Sequence, residues 1–494
     1  MNIHINFSVQ LPLYASVARD LQSRHGIKRF SGFVYGRDSL HDLRALGFPT
    51  DGIKALTQYL SETGRDREPD MDYLRLVETR YGNPHLYLMI AGCRFLSGFE
   101  HRRALRLLEA GFRLIEGIFD EYAPTAVIGE GVACTFTWIQ HAVAQHRGIP
   151  YLAMAPARVN NRIVIFRQRT ERYDRADALF AHFKQHGVPP RLRDDAERFI
   201  REFRETHEKP DTYIRFAHPP GFDITSIRVL GNLLYRRYLD PDNYLLAPLH
   251  EAIMGRLVRV TKDRLLDPRQ FEQPVPGECY VFFPLHFQPE ATTLMWAPFN
   301  VNQIAVIENV AKTLPIDHLL YVKEHKASLG RRPSGYYSQI RRIPNVRLLS
   351  PHLDSHELIK ASSAVCAITS TVGWEAVLYE KPVITLGDCF YNSFDLVRRV
   401  SSMEDLPGAM HDAITGFVPD GELLVKYVAA ILAGTYEGDF NFVPGADNRS
   451  VLDHGNIHKL SDALATELGL LPPRGVQEPY VADVRSYVAS PAGR

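Results

Sequence analysis

The sequence has no long hydrophobic run, no excess charge of either sign and few cysteines. No stretch approaches the about 18–20 consecutive apolar residues that a membrane-spanning helix requires. The 57 lysines and arginines balance 57 aspartates and glutamates, which argues against a dedicated nucleic-acid binder because such proteins rely on a strong basic field. The five cysteines lie far apart without a CxxC pair, so neither a zinc site nor a disulfide framework is predicted. A cytoplasmic protein is expected.

Several catalytic motifs are missing as well. The sequence has no Gx4GK[ST] loop, no HExxH and no GxSxG, which disfavours P-loop, zincin and α/β-hydrolase chemistry. The first residues lack the basic region of a signal peptide and are expected to begin the first strand, over residues 6–9. With 494 residues, the chain is long enough for two large α/β lobes.

The amino-terminal third alternates between strand and helix patterns. Apolar residues at helical spacing predict a long helix over 102–122, and a short apolar strand over 124–130 ends in a carboxylate. Strand, helix and strand again imply a parallel sheet, because a crossover of that length returns the chain in the same direction. The other predicted elements here are helix 13–24, strand 30–35, helix 133–146 and strand 150–154.

The carboxy-terminal half shows the clearest alternation. Strands predicted over 280–283, 319–323, 346–349, 364–369 and 382–386 alternate with helices over 300–314, 336–342, 355–362 and 373–379. Such a pattern is typical of a doubly wound, Rossmann-like lobe. Charged helices precede it, including one over 194–207, with a loop at 218–221 and a linker at 273–277.

These patterns predict four regions. They are a Rossmann-like acceptor lobe (1–166), a helical insertion and interlobe connection (167–276), a Rossmann-like nucleotide-sugar lobe (277–420), and carboxy-terminal helices with a tail (421–494). Two Rossmann-like lobes facing a cleft form the GT-B architecture of glycosyltransferases. Ligands in open α/β sheets bind beyond the carboxyl ends of the strands, so we expect the site in that cleft.

The sharpest local signal is ITSTVGWEA at 368–376, where a strand runs through small hydroxyl residues into a helix. Free backbone N–H groups and the helix dipole favour an anion there, and Ser370 and Thr371, followed by Gly373, are predicted to bind a nucleotide phosphate. The alternative is that these hydroxyls only cap the helix. Glu375 either bonds a ribose or pairs with a neighbouring side chain.

Two other strand ends of the same lobe carry polar residues. Lys323 and His325 end the second strand, where the histidine can donate a proton to a departing phosphate and the lysine can supply charge; a capping histidine is the alternative. Gln288 and Glu290 follow the first strand, and Glu290 can orient the donor sugar or neutralise charge on its ring. A turn-stabilising role for this carboxylate stays open.

On the amino-terminal lobe, Glu130 lies between two glycines at a strand end. It is a candidate base for the acceptor hydroxyl or a candidate nucleophile, and a structural role is the alternative. Arg158, Asn161 and Arg162 follow the next strand and are candidates to hold the carboxylate of an acidic sugar or to contact the acceptor. Solvated surface arginines are the competing interpretation.

Five segments together resemble bacterial capsule polysaccharide biosynthesis proteins. They are HFQPEATT at 286–293, Gln303, LYVKEH at 320–325, STVGWEA at 370–376 and KPVITLG at 381–387. That family includes retaining β-Kdo transferases, which use CMP-Kdo. The resemblance covers about residues 275–395 and implies that Gln288 and Glu290 lie at the donor, that His325 contacts the CMP phosphate, and that Ser370 and Thr371 bind phosphate. Lys326 stands where the family usually has proline.

These observations predict a glycosyltransferase that moves Kdo or a related acidic sugar from a CMP-sugar to a saccharide or glycolipid acceptor. No metal is expected, because a CMP donor carries no diphosphate to neutralise and Lys323, His325 and the helix start could serve. The alternatives are a UDP-sugar transferase or epimerase of the same fold and a noncatalytic scaffold. Peripheral contact with the inner membrane or a polysaccharide-assembly complex stays open.

Overall fold

Two β-sheets organise the chain. The computed structural model describes residues 1–7, 10–82, 85–159, 161–207, 224–241, 243, 246, 249–442 and 448–472. Within these ranges the strands are β1 (Asn2–Asn6), β2 (Arg29–Val34), β3 (Ile53–Ala55), β4 (Ala126–Glu130), β5 (Tyr151–Pro156), β6 (Arg162–Phe166), β7 (Cys279–Pro284), β8 (His318–Lys323), β9 (Val346–Leu349), β10 (Ala364–Ala367), β11 (Val383–Thr385), β12 (Val397–Arg399) and β13 (Tyr436–Glu437).

Helices connect these strands and flank them. In chain order they are α1 (Leu11–His25), α2 (Arg37–Ala45), α3 (Leu56–Thr63), α4 (Met71–Arg80), α5 (Leu86–Ala91), α6 (His101–Tyr122), α7 (Thr135–His146), α8 (Asp174–His186), α9 (Pro190–Thr206), α10 (Ile224–Leu239), α11 (Leu249–Arg264), α12 (Ala291–Leu294), α13 (Gln303–Lys312), α14 (Tyr336–Arg341), α15 (Ser355–Ala361), α16 (Thr371–Leu378), α17 (Leu406–His411), α18 (Gly421–Gly434) and α19 (His454–Glu467).

The described residues pack as two units. Unit 1 comprises those of the ranges 1–178, 222–252 and 433–494, and unit 2 those of 179–221 and 253–432. The helices predicted as one insertion over 167–276 are therefore shared between both units. The predicted loop at 218–221 lies outside the described residues.

Unit 1 contains a seven-stranded sheet in the order β13-β6-β5-β4-β1-β2-β3. Strands β1 to β5 pair in parallel, whereas β6 runs antiparallel to β5 and β13 antiparallel to β6. Helix α1 packs on this sheet beside α19, and Leu21, Ile128 and Leu464 belong to one buried cluster. A mostly parallel sheet with crossover helices confirms the first Rossmann-like lobe.

The first strand lies earlier than predicted, at Asn2–Asn6 rather than over 6–9. Its polar residues obscured the pattern, because His4 is fully buried and would be expected on the surface. Both ring nitrogens of His4 have hydrogen-bond partners: Nδ1 lies 3.3 Å from the Ser31 hydroxyl, and Nε2 lies 3.1 Å from the Gln140 amide oxygen. Burial lowers the pKa of His4 to about 4.

Unit 2 contains a six-stranded, fully parallel sheet in the order β12-β11-β10-β7-β8-β9. Renumbered from its own first strand, this order is 6-5-4-1-2-3, which is the dinucleotide-binding type of doubly wound sheet. Val281, Leu320, Ile384 and residues of α13 form its buried core. The second Rossmann-like lobe is confirmed, with β12 as a sixth strand that the sequence pattern did not reveal.

Candidate functional site

The strand order of unit 2 reverses between β7 and β10. In doubly wound sheets, ligands bind beyond the carboxyl ends of the strands at such a switch point. His286 follows β7 and Thr369 follows β10, and the Nε2 of His286 accepts a hydrogen bond from the backbone N–H of Thr369 at 3.0 Å. The two segments that leave the sheet at the switch point are therefore joined directly.

His286 is held rigidly and stays uncharged. The side chain of Gln303 clamps its backbone: Oε1 accepts from the His286 N–H at 2.7 Å, and Nε2 donates to the His286 carbonyl at 3.1 Å. Burial, with smaller contributions from the charges of His325 and Arg332, lowers the pKa of His286 to about 3. The neutral ring can therefore accept the Thr369 N–H at physiological pH.

A buried ion pair connects the turn after β8 to the turn after β7. The carboxylate of Glu324, which is fully buried, accepts from Arg332 through Nε at 2.8 Å and Nη2 at 2.9 Å. The same Nη2 also donates to the His286 carbonyl at 2.8 Å. Glu324 further accepts the backbone N–H of His325 at 2.6 Å and the Tyr337 hydroxyl at 3.0 Å. The network fixes both turns relative to each other.

His325 lies in solvent at the end of this network. Its Nδ1 accepts from the Ala327 N–H at 3.2 Å and caps a short 3₁₀ turn, as the alternative interpretation predicted. Because Nδ1 is an acceptor, the neutral imidazole carries its proton on Nε2. The Nε2–H of the capping histidine therefore stays available as a donor. The predicted contact of His325 with a departing phosphate requires such a donor. Lys323, the last residue of β8, donates to the Ser355 hydroxyl at 3.0 Å.

Gln288 and Glu290 lie in the turn between β7 and α12. The amide of Gln288 donates to the Val301 carbonyl at 2.8 Å, and the peptide bond between Gln288 and Pro289 is cis. Glu290 occupies the position before α12 without capping the helix through its side chain. The amide of Gln288 thus has a structural contact, and the predicted donor contacts of both residues stay predictions.

The turn after β10 leads into α16. The hydroxyl of Ser370 accepts from the Val372 N–H at 3.1 Å and so caps the helix. The Tyr391 hydroxyl donates to the Ser370 carbonyl at 2.5 Å, and a Cβ at Gly373 would collide with the Tyr391 ring. Gly373 is thus required by this packing. Thr371 is the first residue of α16 and is partly buried.

One hydroxyl in this turn has no partner. The Oγ1 of Thr369 is buried and makes no hydrogen bond within the described structure. Neither Thr369 nor His286 is predicted as a ligand-binding residue from the sequence, although each lies two residues after a buried strand. The signal that could have identified them is strand order, since only the switch point makes the ends of β7 and β10 neighbours.

Glu375 lies inside α16 and is 6% exposed. Its Oε2 lies 4.0 Å from the Nε2 of His356 on α15, and the Nδ1 of His356 lies 3.2 Å from the Tyr379 hydroxyl. A separation of 4.0 Å is too long for a hydrogen bond, so both interpretations of Glu375 stay predictions.

Glu130 ends β4 in unit 1, at the switch point between β4 and β1. Its carboxylate makes no ion pair or hydrogen bond with any described residue. Burial raises its pKa to about 7, against a smaller opposing effect of the Arg94 charge. A carboxyl group that titrates near neutral pH is well suited to general base catalysis.

The three residues after β5 differ in their environments. Arg162 is partly buried in β6, where Nε donates to the Thr435 hydroxyl at 2.8 Å and Nη2 to the Thr435 carbonyl at 2.5 Å. Arg158 lies 3.7 Å from the carboxylate of Glu171. Asn161 is exposed. Arg162 is thus engaged in holding the sheet edge rather than solvated, and contact of these residues with a sugar carboxylate stays a prediction.

Two kinds of feature are absent from the described residues. No group of three or more histidine, cysteine, aspartate or glutamate side chains in the described ranges is placed to hold a metal ion. Likewise, none of the helices described is both long and apolar enough to cross a membrane. All five cysteines are free.

Residues 296–402 match the family described as capsule polysaccharide biosynthesis protein. This confirms the resemblance predicted from the sequence, over a segment that includes the turns after β8 and β10. A curated relative, Protein FixF of Sinorhizobium fredii (strain NBRC 101917 / NGR234), is 33% identical over 187 residues. That alignment covers 36% of this chain and 43% of the relative, so the chain spans less than half of the relative's length.

The solved structures to which the chain is similar are remote in sequence. The β-Kdo 2,4 transferase of Thermosulfurimonas dismutans KpsC is 17% identical, with a TM-score of 0.36 and coverage of 69% of this chain and 87% of that chain. The β-Kdo 2,7 transferase of the same protein is 13% identical, with a TM-score of 0.32 and coverage of 71% and 89%. The UDP-GlcNAc 2-epimerase of Neisseria meningitidis is 13% identical, with a TM-score of 0.24 and coverage of 87% and 98%.

Proposed function

We propose that the chain is a glycosyltransferase of surface polysaccharide biosynthesis. It would move Kdo or a related acidic sugar from a CMP-sugar to a saccharide or glycolipid acceptor. The family match over residues 296–402 supports a role in polysaccharide biosynthesis. The two Rossmann-like units provide the carboxyl edges of parallel strands at which the two substrates of such a reaction would bind. The donor, the sugar and the acceptor are part of the proposal.

The observation that carries the proposal is the hydrogen bond between His286 and Thr369 at the unit 2 switch point. It places the start of α16 beside the turn after β7, and the network of Glu324 and Arg332 adds the turn after β8. A phosphate bound there would meet the N–H groups that open α16 and the hydroxyl groups of Ser370 and Thr371.

The donor residues would act in concert as the nucleotide leaves. The Nε2–H of His325 would donate to a phosphate oxygen, and Lys323 would add positive charge, so that metal-independent transfer is expected. Gln288 and Glu290 would contact the donor sugar. We assign Glu130 of unit 1 as the base for the acceptor hydroxyl or as the nucleophile, since its pKa near 7 allows either role.

The first experiment is a thermal-shift titration of the protein with CMP, CDP, UDP and GDP. A nucleotide that binds only the folded state raises the melting temperature by mass action. We expect CMP to give the largest rise, and His325→Ala to reduce it. His411→Ala, which changes an exposed histidine of unit 2, is the matched control and should leave the rise intact.

A second experiment measures transfer from a CMP-sugar by the isolated chain, with and without EDTA. Product formation in EDTA supports the proposal. A melting-temperature rise that is largest with UDP indicates the UDP-sugar alternative. Nucleotide binding without any turnover indicates a scaffold. Loss of transfer in EDTA that Mg²⁺ restores contradicts metal independence.

A further inference from the structure

Most of helix α11 lies in unit 2, and there it exposes apolar side chains to solvent. Met254 is followed by leucine or valine three, four and eleven positions later, a spacing that places these residues on one face of a helix. Helical geometry extends to the last of them, because the N–H of Leu265 donates to the Thr261 carbonyl at 2.9 Å. We call these four side chains the apolar stripe of α11: they are Met254 (55% exposed), Leu257 (40%), Val258 (46%) and Leu265 (77%).

The polar side of the same helix packs against unit 2. Nη2 of Arg259 donates to the Ala327 carbonyl at 3.4 Å, and Nζ of Lys262 donates to the Arg332 carbonyl at 3.4 Å. A Cβ at Gly330 would collide with the Arg259 carbonyl oxygen, so the segment after β8 lies directly against the helix backbone. Helix α11 is thus amphipathic in the reverse of the usual sense, with its cations toward the protein and its apolar stripe outward.

The apolar stripe is not explained by packing within unit 2. Leu266, the residue after the stripe ends, packs against the buried core of unit 2, whereas its neighbour Leu265 is among the most exposed leucines of the described residues. Single apolar side chains on a surface are common, but a contiguous set on one helix face marks an interaction surface. The stripe is therefore a candidate docking surface.

Cationic side chains border the apolar stripe on both sides. With about 100° between successive residues of a helix, Lys262 and Arg264 lie about 80° to either side of Met254, and Arg264 is exposed. The local charge is positive although the whole chain has a formal net charge of zero. Between residues 253 and 269 the acidic residues are Asp263 and Asp267, and the cationic residues are Arg256, Arg259, Lys262, Arg264 and Arg269. This charge is complementary to an anionic surface.

A lipid surface fits this arrangement better than a protein partner does. A specific protein interface takes about 20–30 residues from each side, whereas the apolar stripe consists of four side chains on one helix. A bilayer needs no partner of matching shape, because binding strength comes from buried apolar area together with the attraction of cations to anionic headgroups. Lysine and arginine side chains can lie along the apolar surface while their charged ends reach the lipid phosphates.

We propose that α11 docks the protein on the surface of a bilayer that contains anionic phospholipid. The apolar stripe enters the boundary between headgroups and acyl chains, and Lys262 and Arg264 contact lipid phosphates on either side of it. Because the polar side of α11 lies against the segment after β8, the docked helix holds the turn that contains Arg332 close to the membrane surface. Docking needs neither nucleotide nor sugar, so this inference goes beyond the proposed function.

Vesicle flotation of the full chain tests the apolar part of the docking. The mixed vesicles contain phosphatidylglycerol and phosphatidylcholine in equal parts, and a second set contains phosphatidylcholine alone. We expect the protein to float with the mixed vesicles, and Val258→Ser combined with Leu265→Ser to weaken this binding about tenfold or more. The matched control, Ile316→Ser combined with Val418→Ser, changes exposed apolar residues of unit 2 outside α11. It should bind like the unmodified protein, and both double variants should keep its melting temperature.

Arg264→Glu tests the electrostatic part of the docking. This variant should bind the mixed vesicles about tenfold more weakly, and sodium chloride should weaken the binding of the unmodified protein. Lys312→Glu is the control, because Lys312 is exposed and is the last residue of α13, as Arg264 is of α11. It should leave vesicle binding unchanged.

Three flotation results would overturn the inference: no binding of the unmodified protein to the mixed vesicles, equal binding to both sets of vesicles, or equal binding of the two double variants. Light scattering adds a fourth. A dimer of the unmodified protein that Val258→Ser with Leu265→Ser dissociates would assign the stripe to a second copy of the chain. None of these results depends on nucleotide binding or sugar transfer, so failure of this inference and failure of the proposed function are distinguishable.

Discussion

Two carboxylates, one at the carboxyl edge of each sheet, lie in opposite environments. Glu324 follows β8 in unit 2 and contacts Arg332 through two hydrogen bonds, with further bonds from the turn around it. Glu130 ends β4 in unit 1 and has no such partner among the described residues. Both lie at the carboxyl edge of a parallel sheet, where ligands bind.

This difference in environment suits Glu324 to a positioning role and Glu130 to proton transfer. A carboxylate that a bidentate arginine holds fixes the geometry of the turns it joins. A carboxyl group buried without a partner has its pKa raised, here to about 7, so that it can take up and release a proton under physiological conditions. Under the proposed function, the turns of unit 2 would hold the donor and Glu130 of unit 1 would exchange the proton.

Glu324→Ala should have the largest effect. Removing one partner of a buried ion pair leaves the charge of Arg332 uncompensated, and we expect a loss of about 3–5 kcal/mol in the free energy of unfolding. Urea denaturation measures it. Glu308→Ala, at an exposed position on α13, is the control and should change the value by less than about 0.5 kcal/mol. A loss for Glu324→Ala as small as that of the control would mean that the network does not stabilise unit 2.

Glu130→Gln should change the pH dependence of the free energy of unfolding. The folded-state pKa of about 7 exceeds the ordinary value of 4.5, so the folded state binds the proton more tightly than the unfolded state. Stability from this group is complete below pH 4.5 and is lost as the pH rises through 7. The unmodified protein should therefore lose about 3 kcal/mol over this interval relative to Glu130→Gln.

Unfolding at pH 5 and pH 8 measures this difference. The exposed Glu62 of α3 provides the control Glu62→Gln, which should follow the unmodified protein at both pH values. In the transfer assay, Glu130→Gln should lower turnover by about 10²- to 10⁴-fold if Glu130 is the base. Parallel stability curves for Glu130→Gln and the unmodified protein would show that Glu130 is solvated or paired after all.

Local patterns in the sequence were sufficient for most of the fold. The apolar spacing of α6 and the alternation of strands and helices from β7 to β11 identified those elements, because burial on one face imposes a period. The strand β1 was misplaced because His4 is a buried polar residue whose partners, Ser31 and Gln140, are distant in the chain. A pattern of hydrophobicity contains no information on such partners.

The same limitation applies to the site. The parallel topology placed Glu130 and His325 at sheet edges, since strand ends of a parallel sheet share one side. Whether a side chain already has a partner in the fold depends on contacts between residues that are separated in the sequence, and the spacing of residues along the chain does not predict these contacts. Examples are the contact of Arg162 with Thr435 and that of Glu375 with His356. The pairing of Glu324 with Arg332, eight residues later, decided its role in the same way.

Gly373→Ala should have an intermediate effect in unit 2. A Cβ at this position would collide with the Tyr391 ring, which must then move away from the Ser370 carbonyl that its hydroxyl now contacts. We expect a loss of about 1–3 kcal/mol in stability and a smaller rise in melting temperature with CMP. Gly408→Ala, where a Cβ would meet open space in α17, is the control and should not destabilise. Equal stability of both variants would show that Tyr391 does not restrain the turn.

The smallest effect on stability, and the sharpest on function, is expected for Ser370→Asp. Aspartate caps a helix about as well as serine and favours the positive end of the helix dipole, so the free energy of unfolding should change by less than about 0.5 kcal/mol. Its charge would repel a phosphate, however, and the rise in melting temperature with CMP should disappear. Ser370→Ala is the complementary variant, since losing the bond to the Val372 N–H should cost about 1 kcal/mol while weakening CMP binding less than the aspartate does. If CMP still stabilises Ser370→Asp as it does the unmodified protein, Ser370 is only a helix cap and the phosphate does not bind at this turn.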